Sequence, residues 1–245
     1  MTCGQQYLRN GRSRAAIAYA LCVTMTGDQV PLRDRMRRMR HRTPRYVYNR
    51  TRQMWSEHAH PDYPWLTPEA VRLLTSMLRR SDRGAEFGSG RSTIWFAERV
   101  GHLTSVEHDK LWHQRVSARL RELGLANVDY ILAPRDQPPE FGEISKYAST
   151  VLAFDDATVD FALVDGLYRE HVTKFIIPKI RPGGLLIIDN VNWYLPPPRT
   201  HAPTSRTPAL GPDGPVWTEV SLDLADWRSI WTTSGVWDTA IFIKP

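Results

Sequence analysis

The chain is poor in cysteine. Cys3 and Cys22 are the only two, and both precede the stretch that reads as the main domain. That scarcity excludes a disulfide framework and a cysteine-ligated zinc centre, and it suits a reducing cytosol. Long apolar runs are also lacking. Ala15 to Met25 (AAIAYALCVTM) is the best candidate, and it falls far short of the ~20 residues that cross a bilayer. With Arg9, Arg12 and Arg14 ahead of it, it resembles the start of a secretory signal. A short helix or loosely ordered leader is the favoured reading, with the protein in the cytoplasm. No other stretch qualifies as transmembrane, and no internal repeat is visible. Acids are scarce in one place: Pro31 to Arg52 holds nine arginines against Asp34, a local charge of +8. The whole chain is +6, so the remainder is about −2.

What is present is enough chain, 245 residues, for one large domain with a sizeable core. The sequence divides at about residue 66 into a leader with an arginine-rich helical cap (1–66) and a main domain (67–245). Thr67 and Pro68 form a helix start, followed by apolar residues at helical spacing. After Gly84, short apolar runs alternate with helical stretches. Strands are expected near 85–87, 103–107, 128–133, 161–164 and 185–188, and helices near 93–100, 111–123, 144–152 and 170–180. Such alternation predicts a doubly wound parallel sheet with ligands at the carboxyl ends of its strands. A Pro-rich stretch, 192–217, reads as a lid loop. A short helix near 222–227 and an antiparallel hairpin, 229–234 with 239–245, close the chain.

The stretch EFGSGRST carries the first functional signal. A strand, then Gly88-Ser89-Gly90, then a helix makes a ligand loop at a helix N-terminus. Dinucleotides and S-adenosylmethionine both use such loops. Glu86 argues against a pyrophosphate and for the cationic amino group of a methionine moiety. Thr93 stands where the dinucleotide fingerprint has its third glycine. Glu107, ending the next strand, can accept both hydroxyls of a ribose, in either cofactor.

EFGSGRST, SVEHD, FALVDG and RPGGLLIIDN, in that order, resemble the motifs of class I S-adenosylmethionine-dependent methyltransferases. The likeness covers about 67–245. It implies a Rossmann-like seven-stranded sheet of order 3-2-1-4-5-7-6 with strand seven antiparallel. It also implies a cofactor site of Glu86, Gly88, Ser89, Gly90, Glu107, Asp165 and Gly166. His108 would flank the adenosine, Ser92 or Thr93 would reach the methionine end, and the turn 134–136 would serve the adenine. Asp109 reads mainly as a helix cap, Trp95 and Phe96 as core, and Trp112 and His113 as a helix face.

IDNVNW resembles the matching stretch of the cation-dependent, catechol-type O-methyltransferases. That likeness implies a Mg2+ or similar divalent site of Asp165, Asp189 and Asn190, which would orient a hydroxyl and lower its pKa. The pattern departs where that group carries a lysine: here Tyr168 stands, with Arg169 and His171 nearby. Asp165, Tyr168 and His171 are therefore the candidates for proton removal. Alternatively, Asp189 and Asn190 only shape the turn into the Pro-rich loop. Trp193 and Tyr194 either line an acceptor pocket or anchor that loop.

The resemblance implies a biosynthetic methyltransferase acting on a small molecule, at oxygen. The arginine-rich segment keeps an RNA methyltransferase open. An NAD-type oxidoreductase and a non-catalytic nucleotide-binding protein are further alternatives. No NPPY-type tetrapeptide follows the fourth strand, where amino-group methylases of bases often carry one. The N-terminal region is a candidate contact for a homo-oligomer.

Overall fold

The structure, a computed structural model, describes residues 43–198, 202 and 204–245. The leader, both cysteines, the apolar run 15–25 and residues 31–42 of the arginine-rich segment lie outside the described residues. Two helices open the described chain. Helix α1 (Pro44–Ala59) has Thr43 as its N-cap, and α2 (Pro68–Met77) has Thr67, each followed by proline at the first position. Ala70, Val71 and Leu74 are the buried face of α2, at the spacing one helical stripe requires.

Then come β1 (Arg83–Phe87), α3 (Arg91–Ala97), β2 (His102–Glu107), α4 (Lys110–Glu122), β3 (Val128–Leu132) and α5 (Lys146–Ser149). They are followed by β4 (Val159–Val164), α6 (Arg169–Ile176), β5 (Ile180–Asp189), α7 (Pro215–Asp223), β6 (Arg228–Thr233) and β7 (Asp238–Ile243). The seven strands form one sheet of order β3-β2-β1-β4-β5-β7-β6. β7 runs antiparallel to both of its neighbours, β5 and β6, and every other neighbouring pair is parallel. The sheet expected from the sequence is the sheet observed.

The inner stretches of β4 and β5, Phe161–Val164 and Leu185–Ile188, are continuously apolar because both faces are covered. Phe161 and Leu163 of β4, with Leu185 and Ile187 of β5, join Trp95 and Phe96 in one core layer. Ala162, Val164, Leu186 and Ile188 face the other layer, with Tyr147, Val172 and Trp217. Trp95 and Phe96 are core, as expected.

Three helical expectations need correction. The single helix near 144–152 is broken into a 3-10 turn (Pro139–Ile144), α5 and a second 3-10 turn (Thr150–Ala153). Ser145 is the reason: its backbone is extended, its hydroxyl donates to Gly142 O (2.7 Å), and it accepts from Ala148 N (3.0 Å). The helix expected to run to 180 ends at Ile176, with a 3-10 turn over Ile177–Lys179, because Pro178 has no N–H to continue it. The helix expected at 222–227 lies earlier, at Pro215–Asp223, so the preceding loop ends at Gly214. Gly214-Pro215 was the overlooked signal: a residue at positive φ, then proline at the first helical position.

Candidate functional site

Strand register sets the site. Phe87 pairs with Val106 on one side and Val164 on the other, and Val164 pairs with Ile188. Gly88 and Asp165, just past their strands, and Asp189, the last residue of β5, therefore share one edge of the sheet. Two strand exits there are left-handed in non-glycine residues, Tyr168 (φ 47°) and Asn190 (φ 51°). Asparagine tolerates that region, whereas a bulky residue such as tyrosine is a genuine outlier.

The glycine loop is built by close approach. Gly88 has φ 103°, and a Cβ there would lie 2.6 Å from the Gly166 nitrogen. A Cβ on Gly166 would lie 2.9 Å from the Gly88 nitrogen in turn. Backbone touches backbone, so neither position has room for a side chain. Gly90 differs. Its φ is 168°, ordinary extended backbone, and a Cβ would meet only Trp112 at 3.9 Å.

The loop amides are already committed. Gly90 N donates to Thr93 Oγ1 (3.0 Å), and that hydroxyl donates to Glu86 Oε2 (2.6 Å). Ser105 Oγ also donates to Glu86 Oε2 (2.5 Å). Ser89 N donates to Glu107 Oε2 (3.2 Å), as does Ser89 Oγ (2.5 Å). Glu107 Oε1 accepts from the amides of His108 (2.7 Å) and Asp109 (2.8 Å), and the His108 imidazole lies 3.0 Å away. Trp112 Nε1 donates to Ser89 O (2.9 Å), and the Tyr130 hydroxyl shares a hydrogen bond with Ser89 Oγ (2.6 Å). A dinucleotide loop offers its amides to a diphosphate; this one spends those of Ser89 and Gly90 on its own side chains.

The two carboxylates are tuned in opposite directions. Burial pushes the Glu86 carboxyl up to about 7, and the nearby Asp165 charge adds to that, against the hydroxyls of Ser105 and Thr93. For Glu107, burial acts upward, but hydrogen bonds from His108, Asp109 and Ser89 outweigh it and hold the group at about 2. Between pH 4.5 and 7 the folded state keeps a proton on Glu86 that the unfolded chain gives up. That contribution to stability therefore falls as pH rises through the window. Glu107 has the reverse sign, its contribution being lost as pH falls from 4.5 toward 2. Denaturant melts from pH 5 to 8 should show wild type losing on the order of 2–3 kcal/mol relative to Glu86→Gln. Parallel curves for the two proteins would show that Glu86 is not the buried acid described.

The Asp165, Asp189 and Asn190 cluster does not fit a divalent metal. The Arg169 guanidinium sits there instead, donating to Asp165 Oδ1 (2.7 Å) and to the carbonyl of Asp189 (2.6 Å). Asp189 Oδ1 turns away to accept from Thr239 Oγ1 (2.6 Å).

Of the candidates for proton removal, Asp165 is at this edge. The Tyr168 hydroxyl donates to Gln137 O, and its ring packs on Gly142. His171 is buried beside Gly142 and Phe175. Asp136, in the turn expected to serve the adenine, accepts from Lys146 N (3.1 Å). Asp109 caps α4 as expected, accepting from Trp112 N (2.7 Å). Trp193 is largely exposed, while Tyr194 stacks on Trp217 (4.9 Å).

Sequence reading missed Ser105 and Tyr130 and took Trp112 only for a helix face, because their partners lie on other elements. It noted Arg169 beside Tyr168 but not as the partner of Asp165, which stands four residues earlier, outside the helix that Arg169 opens.

Residues 85–191 match the family model described as a methyltransferase domain. No curated protein matches the chain significantly. Among solved structures, a Staphylococcus aureus protein proposed to be a caffeoyl-CoA O-methyltransferase aligns at 15% identity and a TM-score of 0.52. That alignment covers 80% of this chain and 92% of the other. A methyltransferase-like protein of Silicibacter pomeroyi aligns at 20% identity and a TM-score of 0.51, covering 75% of this chain and 89% of that one. The chain has the Rossmann-like methyltransferase fold. Within it, the loop at Gly88 is the turn after the first strand, and β7 is the antiparallel strand inserted between β5 and β6. No helix among the described residues is long and apolar enough to cross a membrane.

Proposed function

We propose that the protein is an S-adenosylmethionine-dependent methyltransferase acting on a hydroxyl of a small molecule, with 67–245 as its catalytic domain. The observation that carries the reading is the state of the glycine loop. The amides of Ser89 and Gly90 are spent on Glu107 and Thr93, and an acid flanks the loop with one buried oxygen, Glu86 Oε1, lacking a partner among the described residues. A diphosphate would meet negative charge and no free donors at those two positions. A ligand with an ammonium and a ribose fits: Glu86 for the cation, Glu107 for the hydroxyls, with Gly88 and Gly166 letting the backbone come close. His108, Ser92 and Thr93 complete that shell.

When bound, the cofactor supplies an electrophilic methyl group. The chain's task is then to position the acceptor, exclude water and take a proton. Asp165 is the group at the strand edge suited to the last. Helix α1 supports an enclosing role. Asn49 Nδ2 donates to Gly235 O (3.4 Å) in the β6–β7 turn, and Glu57 O accepts from Arg91 Nη1 (3.3 Å), next to the glycine loop. It thus touches both the β6–β7 turn and the start of the helix after the glycine loop.

A thermal-shift panel with S-adenosylhomocysteine, NAD and ATP tests the reading. At about 100 times Kd, a specific ligand adds about 2.7 kcal/mol of stability. For a domain of this size that is roughly 5–10 °C. S-adenosylhomocysteine alone should produce it. A comparable shift with NAD and none with S-adenosylhomocysteine would reverse the assignment.

A further inference from the structure

We infer that Arg169 is the resident cation of the strand-end cluster, a positioning residue that holds the ends of β4 and β5 together and keeps divalent metal out. The inference stands on geometry and does not depend on methyl transfer.

The guanidinium is fully used. Nη2 donates to Asp165 O (2.8 Å) and Asp165 Oδ1 (2.7 Å). Nη1 donates to Asp189 O (2.6 Å) and Asn190 Oδ1 (3.4 Å), and Nε donates to Gly166 O (3.2 Å). Five N–H groups thus meet five oxygens drawn from both strand exits, a use of the planar fork that a lysine could not reproduce. The side chain is only 13% exposed. Its guanidinium carbon lies 5.8 Å from the centre of the Tyr194 ring, which itself stacks on Trp217. Aromatic packing on one side and oxygens around the fork fix the cation in place.

A metal needs what Arg169 has taken. Mg2+ requires oxygens at about 2.0–2.1 Å and Ca2+ at about 2.3–2.6 Å around a single point. Here the oxygens are spread around a planar fork, and a second cation at their centre would face the guanidinium charge. One oxygen of the Asp189 carboxylate, Oδ1, is committed elsewhere: Thr239 Oγ1 donates to it and accepts from Thr67 N (3.1 Å), tying it toward α2. The cluster therefore works as an internal clasp. It pins the carbonyls of Asp165 and Gly166, directly behind Gly88, and the left-handed turn at Asn190.

The test is Mn2+ titration of the full chain, followed by electron paramagnetic resonance and by thermal melting. Wild type should bind no Mn2+ in a saturable way up to about 1 mM, and its melting temperature should not respond. Arg169→Ala removes the cation and leaves the oxygens, so Mn2+ affinity should rise at least about tenfold over wild type, with a Mn2+-dependent gain in melting temperature. Adding Asp165→Asn to that variant should abolish the gain, which a merely destabilised protein would not show. Arg169→Met, which keeps the aliphatic stem against Tyr194, is the second variant should alanine fail to fold. Saturable Mn2+ binding by wild type overturns the inference, as does a folded Arg169 variant that acquires none. If neither variant folds, the wild-type titration decides alone. A failed thermal shift with S-adenosylhomocysteine would leave these outcomes untouched, so the two readings fail separately.

Discussion

Replacing Glu107 with alanine should lower affinity for S-adenosylhomocysteine by roughly 100-fold or more. The carboxylate has two tasks at once. It receives the amide and hydroxyl of Ser89 and the amides of His108 and Asp109, and in the proposed complex it is the acceptor for the ribose hydroxyls. Each hydrogen bond to a charged group is worth about 1.5–3 kcal/mol. Losing even one bond to the ligand thus accounts for about one to two decades, and loosening of the loop adds to it. Glu107→Gln separates the contributions: it keeps one acceptor oxygen and most of the packing, so it should retain more stability than alanine while still binding poorly. Isothermal calorimetry on both variants is the measurement. Unchanged affinity in the alanine variant would mean that Glu107 does not face the ligand.

Gly88→Ala should destabilise the fold by about 3–5 kcal/mol, a size expected only where a named steric cause exists. Two causes coincide here. The backbone is at φ 103°, disfavoured for any residue with a Cβ, and the nearest atoms, at 2.6–2.8 Å, all belong to the Asp165–Gly166 backbone, which cannot swing aside. Gly90→Ala is the contrasting control. With extended backbone and nothing nearer than Trp112 at 3.9 Å, it should change stability by no more than about 0.5 kcal/mol. Chemical denaturation gives both numbers. Equal effects at the two positions would show that the loop geometry described here is wrong. If Gly90→Ala instead folds normally but loses S-adenosylhomocysteine, the role of that glycine is to admit the ligand rather than to make the turn.

The alternation of apolar and helical stretches, the helix starts at Thr67-Pro68 and Asp109, the glycine turn after β1 and the terminal hairpin were all legible in the chain. Each is a short-range property: periodicity, a cap or a turn reports itself within a few residues, and a doubly wound sheet then has few ways to close. Where expectations erred, local chemistry had been overlooked, as with Ser145 restarting a helix and Gly214-Pro215 beginning one.

The occupants of the strand edge were beyond such reading. Asp165, Asp189 and Asn190 were recognisable as oxygen ligands, yet whether a metal or a side chain stands among them depends on which cation the fold delivers. Arg169 is local to Asp165 but distant in sequence from Asp189 and Asn190, and only the pairing of β4 with β5 brings all of their oxygens around one guanidinium. Likewise, Ser105 and Thr93 reach Glu86, and Tyr130 and Trp112 reach Ser89, only across strands and loops. The sequence by itself determined the architecture, because neighbours along the chain carry that information. Tertiary structure alone decided the partners of each polar group, because those contacts form between segments that sequence order leaves far apart.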